Sequence, residues 1–402
     1  MTSPLTVRPL TAETLSGHLD ICRTAFYAEA DEPTRATQLR LWEPARFRGV
    51  FDGDELIGGG GVWPRRITLP GTGPQPFAGV TMVAVAPGHR RRGALTGLMR
   101  SLLHDLHAEG ADPLAALWAS EGGIYGRFGY GIAVEASQVE IAKGARFLPT
   151  VDTGADRVRE VSRTVAEPLI RELHAKVAAE RIGWLERDQD TWHYRLLDGP
   201  PQRGGKQAWR FAVHPEGYAL FRVNAAHDGL GLDVQEIVTA TPAGHAAIWR
   251  HLLDSDLVSS INYWGCAPDE PLRHLLADPR AVKIERNDSL WVRLVDVDRA
   301  LPMRTYTGPL DTVLELTDEF CPWNAGRWRL VIGTDGRAEL TRTEDTPELT
   351  LSSTALGSAF LGGVRLSTLA AAGQAHEHRP GAAAALSRAF LVDPAPHTME
   401  IF

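Results

Sequence analysis

Residues 80–103, VTMVAVAPGHRRRGALTGLMRSLL, set Arg90, Arg91, Arg92 and Gly93 between a strand-like run and a leucine-striped one. At a helix start the first amides lack intrahelical acceptors and the macrodipole is positive, so anions are attracted and cations repelled. Arginines there make sense if a ligand with several negative charges is shared between backbone amides and bidentate guanidinium groups. Gly93 lets the backbone come close to it. An arginine triplet alone could also be a solvated basic face, but a place between buried strand and helix favours a phosphate cradle. A dinucleotide loop is excluded, because G-x-G-x-x-G is absent and arginines stand where small residues are needed; a Walker loop is excluded as well. Cys22, Cys266 and Cys321 are far apart and in no paired spacing, which argues against disulfides and zinc and for reduced thiols in a cytoplasm.

Periodicity supplies the elements that would position this loop. Val83 and Val85 alternate with Met82 and Ala84, as in a strand buried on both faces, and Pro87 ends it. Leu95, Leu98, Met99, Leu102, Leu103 and Leu106 form the stripe of an amphipathic helix stopped by Gly110, and PLAALWAS follows as a strand. Upstream, TVRPL reads as a strand and Thr11 as the cap of a helix carrying Leu15, Leu19, Cys22 and Phe26. FDGDEL at 51–56 reads as a hairpin turn, with a second turn at PGTGPQP. Residues 233–264 repeat the order strand, proline turn, helix, strand, yet their turn TPAGHAAI lacks arginines. A duplicated domain without its anion site and the recurrence of a common unit both account for that echo. A third region begins near residue 296 with DTVLELTD, a hairpin at Asp335-Gly336 and two Ala- and Leu-rich helices. It finishes in the apolar HTMEIF, which implies a tethered segment.

The 402 residues set an expectation of two to three domains, at roughly 100 to 200 residues each. A composition of 44% hydrophobic and 23% charged residues is that of a soluble globular protein. The net charge of -8 disfavours duplex nucleic acid and anionic membranes and suits a cationic small partner. No run approaches the roughly 18 apolar residues of a membrane span, and MTSPLTVRPLTAETLSG has no basic segment before an apolar core. The expectation is a cytoplasmic protein without membrane insertion.

Arg90-Arg91-Arg92-Gly93-Ala94-Leu95 resembles the acetyl-coenzyme A (acetyl-CoA) loop of the GNAT superfamily of N-acetyltransferases, with Leu95 where that pattern has Gly or Ala. SEGGIYGRFGYG at 120–131 resembles the matching segment of the Eis (enhanced intracellular survival) acetyltransferases, and the similarity continues through GYALFRV, STLAAA and a terminal phenylalanine. The resemblance implies an α/β (α+β) chain: tandem GNAT folds, each a mixed central sheet flanked by helices, then a sterol-carrier-protein-like α+β domain. The corresponding limits are 1–150, 151–295 and 296–402, and a homo-hexamer is implied. It also implies acetyl-CoA as co-substrate, with no metal, held by Val83, Ala84, Val85, Arg90, Arg91, Arg92, Gly93, Ala94, Leu95, Thr96, Ser120 and Glu121.

By the same resemblance the amine attacks the thioester directly in a ternary complex. Tyr125 matches the general acid that meets the leaving thiolate, and the carboxylate of Phe402 matches the base. Glu29, Asp31, Glu32 and Glu400 are implied to line a negatively charged pocket for aminoglycosides and other polycationic amines; Trp42, Trp63 and Trp118 read as core residues or as added walls of that pocket. Two alternatives stand beside this reading. One keeps the transfer but gives it a protein lysine or a biosynthetic amine; the other is a non-enzymatic protein that binds a lipid or other hydrophobic ligand and has a vestigial cofactor site.

Overall fold

Strands exchanged between distant parts of the sequence decide how the chain is divided. The computed structural model describes residues 4–29, 31–226 and 229–402, so Met1–Ser3 of the N-terminal reading lie outside the described residues. In spatial order the first sheet holds β1 (Thr6–Pro9), β2 (Phe47–Asp52), β3 (Glu55–Leu69), β4 (Gly73–Val85), β5 (Leu114–Trp118), the distant strand Leu290–Leu294 and β6 (Gly131–Ile132). The next strand, β7 (Glu135–Ala142), leaves for the second sheet, where it lies antiparallel between Val258–Cys266 and Val282–Asp288. Gly229–Thr239, Gly217–Ala226, Arg210–His214 and Arg159–Val161 complete that sheet. The expected limits at 150 and 295 therefore cut across both sheets: β7 belongs with the second and Leu290–Leu294 with the first. Pairings between segments so far apart carry no local signal.

The local elements around the loop form for the expected reasons. Thr11 and Thr14 cap each other at the start of α1 (Ala12–Ala25), which buries Leu15, Leu19 and Cys22. Phe26, expected on the same stripe, is instead 44% exposed at the end of α1. A second helix, α2 (Glu32–Leu41), leads to β2. On the opposite face of the sheet α3 (Ala94–Glu109) lays Leu98, Met99, Leu102, Leu103 and Leu106 over Val62, Ala78 and Val80. Each such buried side chain contributes about 2 kcal/mol. Gly110, at φ 63, ends α3 as expected.

The third domain has a five-stranded sheet in the order Ala338–Arg342, Gly326–Ile332, Leu310–Thr317, Leu349–Ser352, Ala375–Glu377. Its interior is filled by side chains such as Leu314, Leu330, Leu356, Phe360 and Phe390. Arg304 is buried among them, donating to the carbonyls of Phe360 and Phe390. No helix among the described residues is long and apolar enough to cross a membrane.

Candidate active site

The first sheet splits where the arginine loop needs it to. β4 and β5 run parallel and pair only at Ala78 with Ala115 and Gly79 with Ala116. Beyond Gly79, β4 stays with β3 while β5 stays with Leu290–Leu294, and the sheet parts into a V. A cleft of about 770 Å³ fills that opening. Val83, Ala84 and Val85 form one wall; Ser120, Glu121, Ile124, Tyr125 and Arg127 form the other. Arg90, Arg91 and the start of α3 from Gly93 to Thr96 close its end, with Ala25 and Phe26 of α1 beside them. Eleven of the twelve residues expected around the cofactor thus line one cleft.

The exception is Arg92, which turns away and pairs with Asp52 at 2.8 Å. Arg90 and Arg91 have no carboxylate within ion-pairing distance among the described residues, and both are exposed. No side chain caps α3, so its first amides remain available. Arg91 at φ 64 and Gly93 at φ 84 are both left-handed. For an arginine that conformation costs about 1–2 kcal/mol, a strain of the kind that clusters at ligand sites.

The strand wall is not the regular ladder expected of residues 82–85. Gly59 pairs with Ala84 and Gly61 with Thr81, so Met82 and Val83 bulge opposite Gly60, and Met82 sits at φ 52. The alternation breaks there: Ala84 is buried, whereas Val83 and Val85 are half-buried and line the cleft. The run Gly58–Gly61 accommodates this. A Cβ at Gly59 would stand 3.1 Å from the ring of His18, and one at Gly60 2.9 Å from Val83. Four consecutive glycines inside a strand are the signal that could have revealed the bulge from sequence.

Tyr125 begins a single helical turn, Tyr125–Phe128, on the wall opposite the bulge and is 5% exposed. Its ring meets Tyr130 edge-on at 6.1 Å, and its hydroxyl has no protein hydrogen-bond partner among the described residues. Burial, aided by the charge of Glu121, pushes the phenol up to about 12. The group therefore stays protonated throughout the physiological range. The third domain supports this turn: Thr354 donates to the carbonyl of Gly126 at 3.0 Å, and a Cβ at Gly129 would meet Ser353 at 2.7 Å.

Comparison with known proteins accords with this geometry. Residues 6–133 and 183–300 each match the acetyltransferase (GNAT) domain family, and residues 297–399 match the sterol carrier protein domain. The chain is 38% identical to the N-acetyltransferase Eis of Mycobacterium tuberculosis over 81% of its own length and 80% of that protein's. It is 41% identical to an uncharacterized N-acetyltransferase of Streptomyces avermitilis, over 92% of each chain. The crystal structure of Eis1 from Mycobacterium abscessus superposes with a TM-score of 0.86 at 32% identity, covering 99% of this chain and 100% of that one. This chain belongs to the Eis family of GNAT N-acetyltransferases. The GNAT fold implies acetyl-CoA as co-substrate.

In this Eis-family chain the C-terminal segment runs to the base of the V. The ring of Phe402 packs edge-on against Phe77 at 5.7 Å, and a Cβ at Gly79 would lie 3.2 Å from it, so Phe402 sits where β4 and β5 separate. Side chains hold the segment there. His397 accepts from the Trp184 indole at 3.2 Å and donates to the Gly265 carbonyl at 2.7 Å, while Met399 lies 3.5 Å from the Tyr263 hydroxyl.

Several residues expected at the acceptor side are otherwise engaged. Glu400 is buried and paired with Arg187, which also grips Glu236 at 3.0 and 2.6 Å. Burial acts to raise the Glu400 carboxyl, but the guanidiniums of Arg187, Arg195 and Arg65 outweigh it and hold the group below its ordinary value. Asp31 caps α2, accepting from the Thr34 amide at 2.9 Å and from its hydroxyl. Those bonds hold its carboxyl below the ordinary range. Glu29 and Glu32 are exposed and face solvent beyond α1. Trp42 is a core residue against Phe47, and Trp63 is buried in the same cluster. Trp118, at the end of β5, packs on Trp264 at 5.6 Å. None of these seven acceptor-side residues lines the V-shaped cleft.

Proposed function

We propose that this chain moves the acetyl group of acetyl-CoA to a primary amine of a small molecule by direct attack within a ternary complex. The observation that carries the reading is the open V, closed at one end by an uncapped helix start and two arginines without a carboxylate partner among the described residues, with Tyr125 on the facing wall. Arg90 and Arg91 take the diphosphate together with the first amides of α3. The strand wall Val83–Val85 offers its main chain to the pantetheine arm, and an amide there donates to the thioester oxygen as it becomes negative. Holding amine and thioester in contact supplies up to about 7–11 kcal/mol of the acceleration.

Tyr125 meets the departing sulfur as hydrogen-bond donor and acid. With the buried phenol pushed up to about 12 and the thiol taken at its free value near 8.5, full transfer is uphill by about 5 kcal/mol. The cleft desolvates the thiolate too, which raises its affinity for the proton and narrows that gap. The carboxylate of Phe402, at the base of the V, takes the proton of the amine. Its reference pKa of about 3.3 to 3.7 makes proton loss concerted with attack, or relayed through water. Residues appended after Phe402 remove that carboxylate; full turnover in such a protein eliminates it from the mechanism.

The acceptors proposed first are polycationic amines, aminoglycosides foremost, drawn by Glu29 and Glu32. A second acceptor class has its own support. Because Asp31 and Glu400 are already engaged, fewer free carboxylates face an acceptor than a polycation calls for, and a protein lysine or a biosynthetic amine needs fewer. Coenzyme A release measured over aminoglycosides, polyamines, lysine peptides and arylalkylamines separates the classes. Silence on every acceptor would contradict both. Assembly as a hexamer in the cytoplasm belongs to the same proposal, and the mass in solution tests the assembly.

A further inference from the structure

The bulge in β4 leaves the carbonyl of Met82 outside the ladder, and α1 takes it up. His18 Nε2 lies 2.8 Å from that oxygen, and the Cys22 thiol lies 3.4 Å from the same oxygen and 3.3 Å from His18 Nε2. Both side chains are buried, at 0% and 1% exposure, one helical turn apart. An oxygen can only accept, so the imidazole is in its Nε2–H form and donates, with the thiol as a second, weaker donor. Burial keeps the imidazole neutral, down to about 4, and the thiol protonated, up to about 12. The ring packs against Gly59, where a Cβ would stand 3.1 Å from it, so the glycine run makes room for this clamp as well as for the bulge.

A trans peptide sets its C=O and N–H in opposite directions. With the Met82 carbonyl held toward α1, the amide of Val83 points away from α1, and Val83 lines the cleft. We infer that His18, assisted by Cys22, is a positioning residue for acetyl transfer: it fixes the left-handed Met82 peptide so that the Val83 amide is aimed at the thioester carbonyl. The inference rests on the acetyl-CoA reading above and gives that reading its oxyanion donor. A side chain outside the cleft thus governs catalysis through one peptide plane.

The test uses the full-length chain with His18→Ala, His18→Gln and the double variant His18→Ala/Met82→Gly. Binding of coenzyme A is followed by calorimetry, and the carbonyl carbon of bound 1-13C acetyl-CoA by NMR. His18→Ala lowers kcat roughly tenfold or more and moves the bound carbonyl resonance toward its free position, while coenzyme A affinity stays within about threefold. Gln places an amide donor near the position of Nε2, so His18→Gln recovers most of both signals. Glycine accepts a positive φ without support, so the double variant recovers turnover in part. A folded His18→Ala protein with unchanged kcat and carbonyl resonance overturns the inference. So does a Gln variant no better than Ala alongside a double variant that recovers nothing, which is the signature of packing alone. If the unaltered chain binds no acetyl-CoA, the underlying reading fails, and the clamp falls with it.

Discussion

In the first GNAT half β4 and β5 share two register pairs and then part around an open cleft; in the second, Gly229–Thr239 and Val258–Cys266 stay paired from Leu230 to Val234, and the space beyond is filled. Tyr263 reaches into it, its hydroxyl accepting from the amide of Ile237 at 3.3 Å and meeting Met399 at 3.5 Å. Glu236 lies in the same region, buried and gripped by Arg187, Arg195 and Tyr218. The helices differ in the same sense. Gly93 leaves the first turn of α3 uncapped, whereas Thr241 accepts from the Gly244 amide at 3.2 Å at the start of Pro242–Leu253. A single strand-helix-strand topology thus serves as a ligand site where its gap and its helix amides are left free, and as a core where the chain's own side chains occupy both.

Removing the acid from the open half has the largest expected effect. Tyr125→Phe lowers kcat by about 10²- to 10⁴-fold, the range for general acid catalysis, without loss of acetyl-CoA binding. Steady-state kinetics beside calorimetry check this, and turnover near that of the parent would show that Tyr125 only packs.

Next in size is the anion cradle. Charge-assisted hydrogen bonds contribute about 1.5–3 kcal/mol each, so Arg90→Ala/Arg91→Ala weakens acetyl-CoA binding by roughly 10²-fold or more. Arg92→Ala breaks only the exposed pair with Asp52, which is worth about 0–1 kcal/mol, and changes affinity by less than about fivefold. Equal effects from Arg92 and its two neighbours would contradict the placement of this loop.

Acid stability tests both halves together. Burial pushes His18 in the first half and His397 in the C-terminal segment down to about 4, and His174 in the second half down to about 3. Each folded value lies below the unfolded value of about 6.5, so in that interval the unfolded chain binds more protons. Stability is full above about pH 6.5 and declines as pH falls toward 4, by as much as about 3 kcal/mol per group. The thermal midpoint accordingly falls below neutral pH before the carboxylates titrate, and His397→Gln flattens the decline. An unchanged midpoint between pH 7 and 5 would show that these imidazoles are not held neutral. The smallest effect is expected from Thr241→Ala, which removes a cap from the closed half for about 1 kcal/mol of stability, with turnover untouched. Loss of turnover there would mean that the second half takes part in the reaction.

The parts legible in the sequence were those encoded locally. The arginine triplet before a leucine stripe, the Gly110 stop, the Thr11 cap and the repeated strand-helix-strand order all depend on neighbours within a few residues, and the structure has them. Assignments that depend on distant partners were not legible. Arg92 is drawn off by Asp52, forty positions away, and Glu400 by Arg187, more than two hundred positions away. Asp31 lies in an acidic cluster, but its side chain satisfies the α2 amides, a competition that residue type alone does not settle. Residues 82–85 have the alternation of a regular strand, and only the glycines of the facing strand mark the bulge. The exchange of β7 and Leu290–Leu294 between sheets is a property of the whole fold.

One GNAT half is open and the other closed. Calorimetric titration of the full-length chain with coenzyme A tests this directly. One site per chain is predicted, abolished or severely weakened by Arg90→Ala/Arg91→Ala and unaffected by Thr241→Ala. No site, two sites, or a single site indifferent to the two arginines would contradict it.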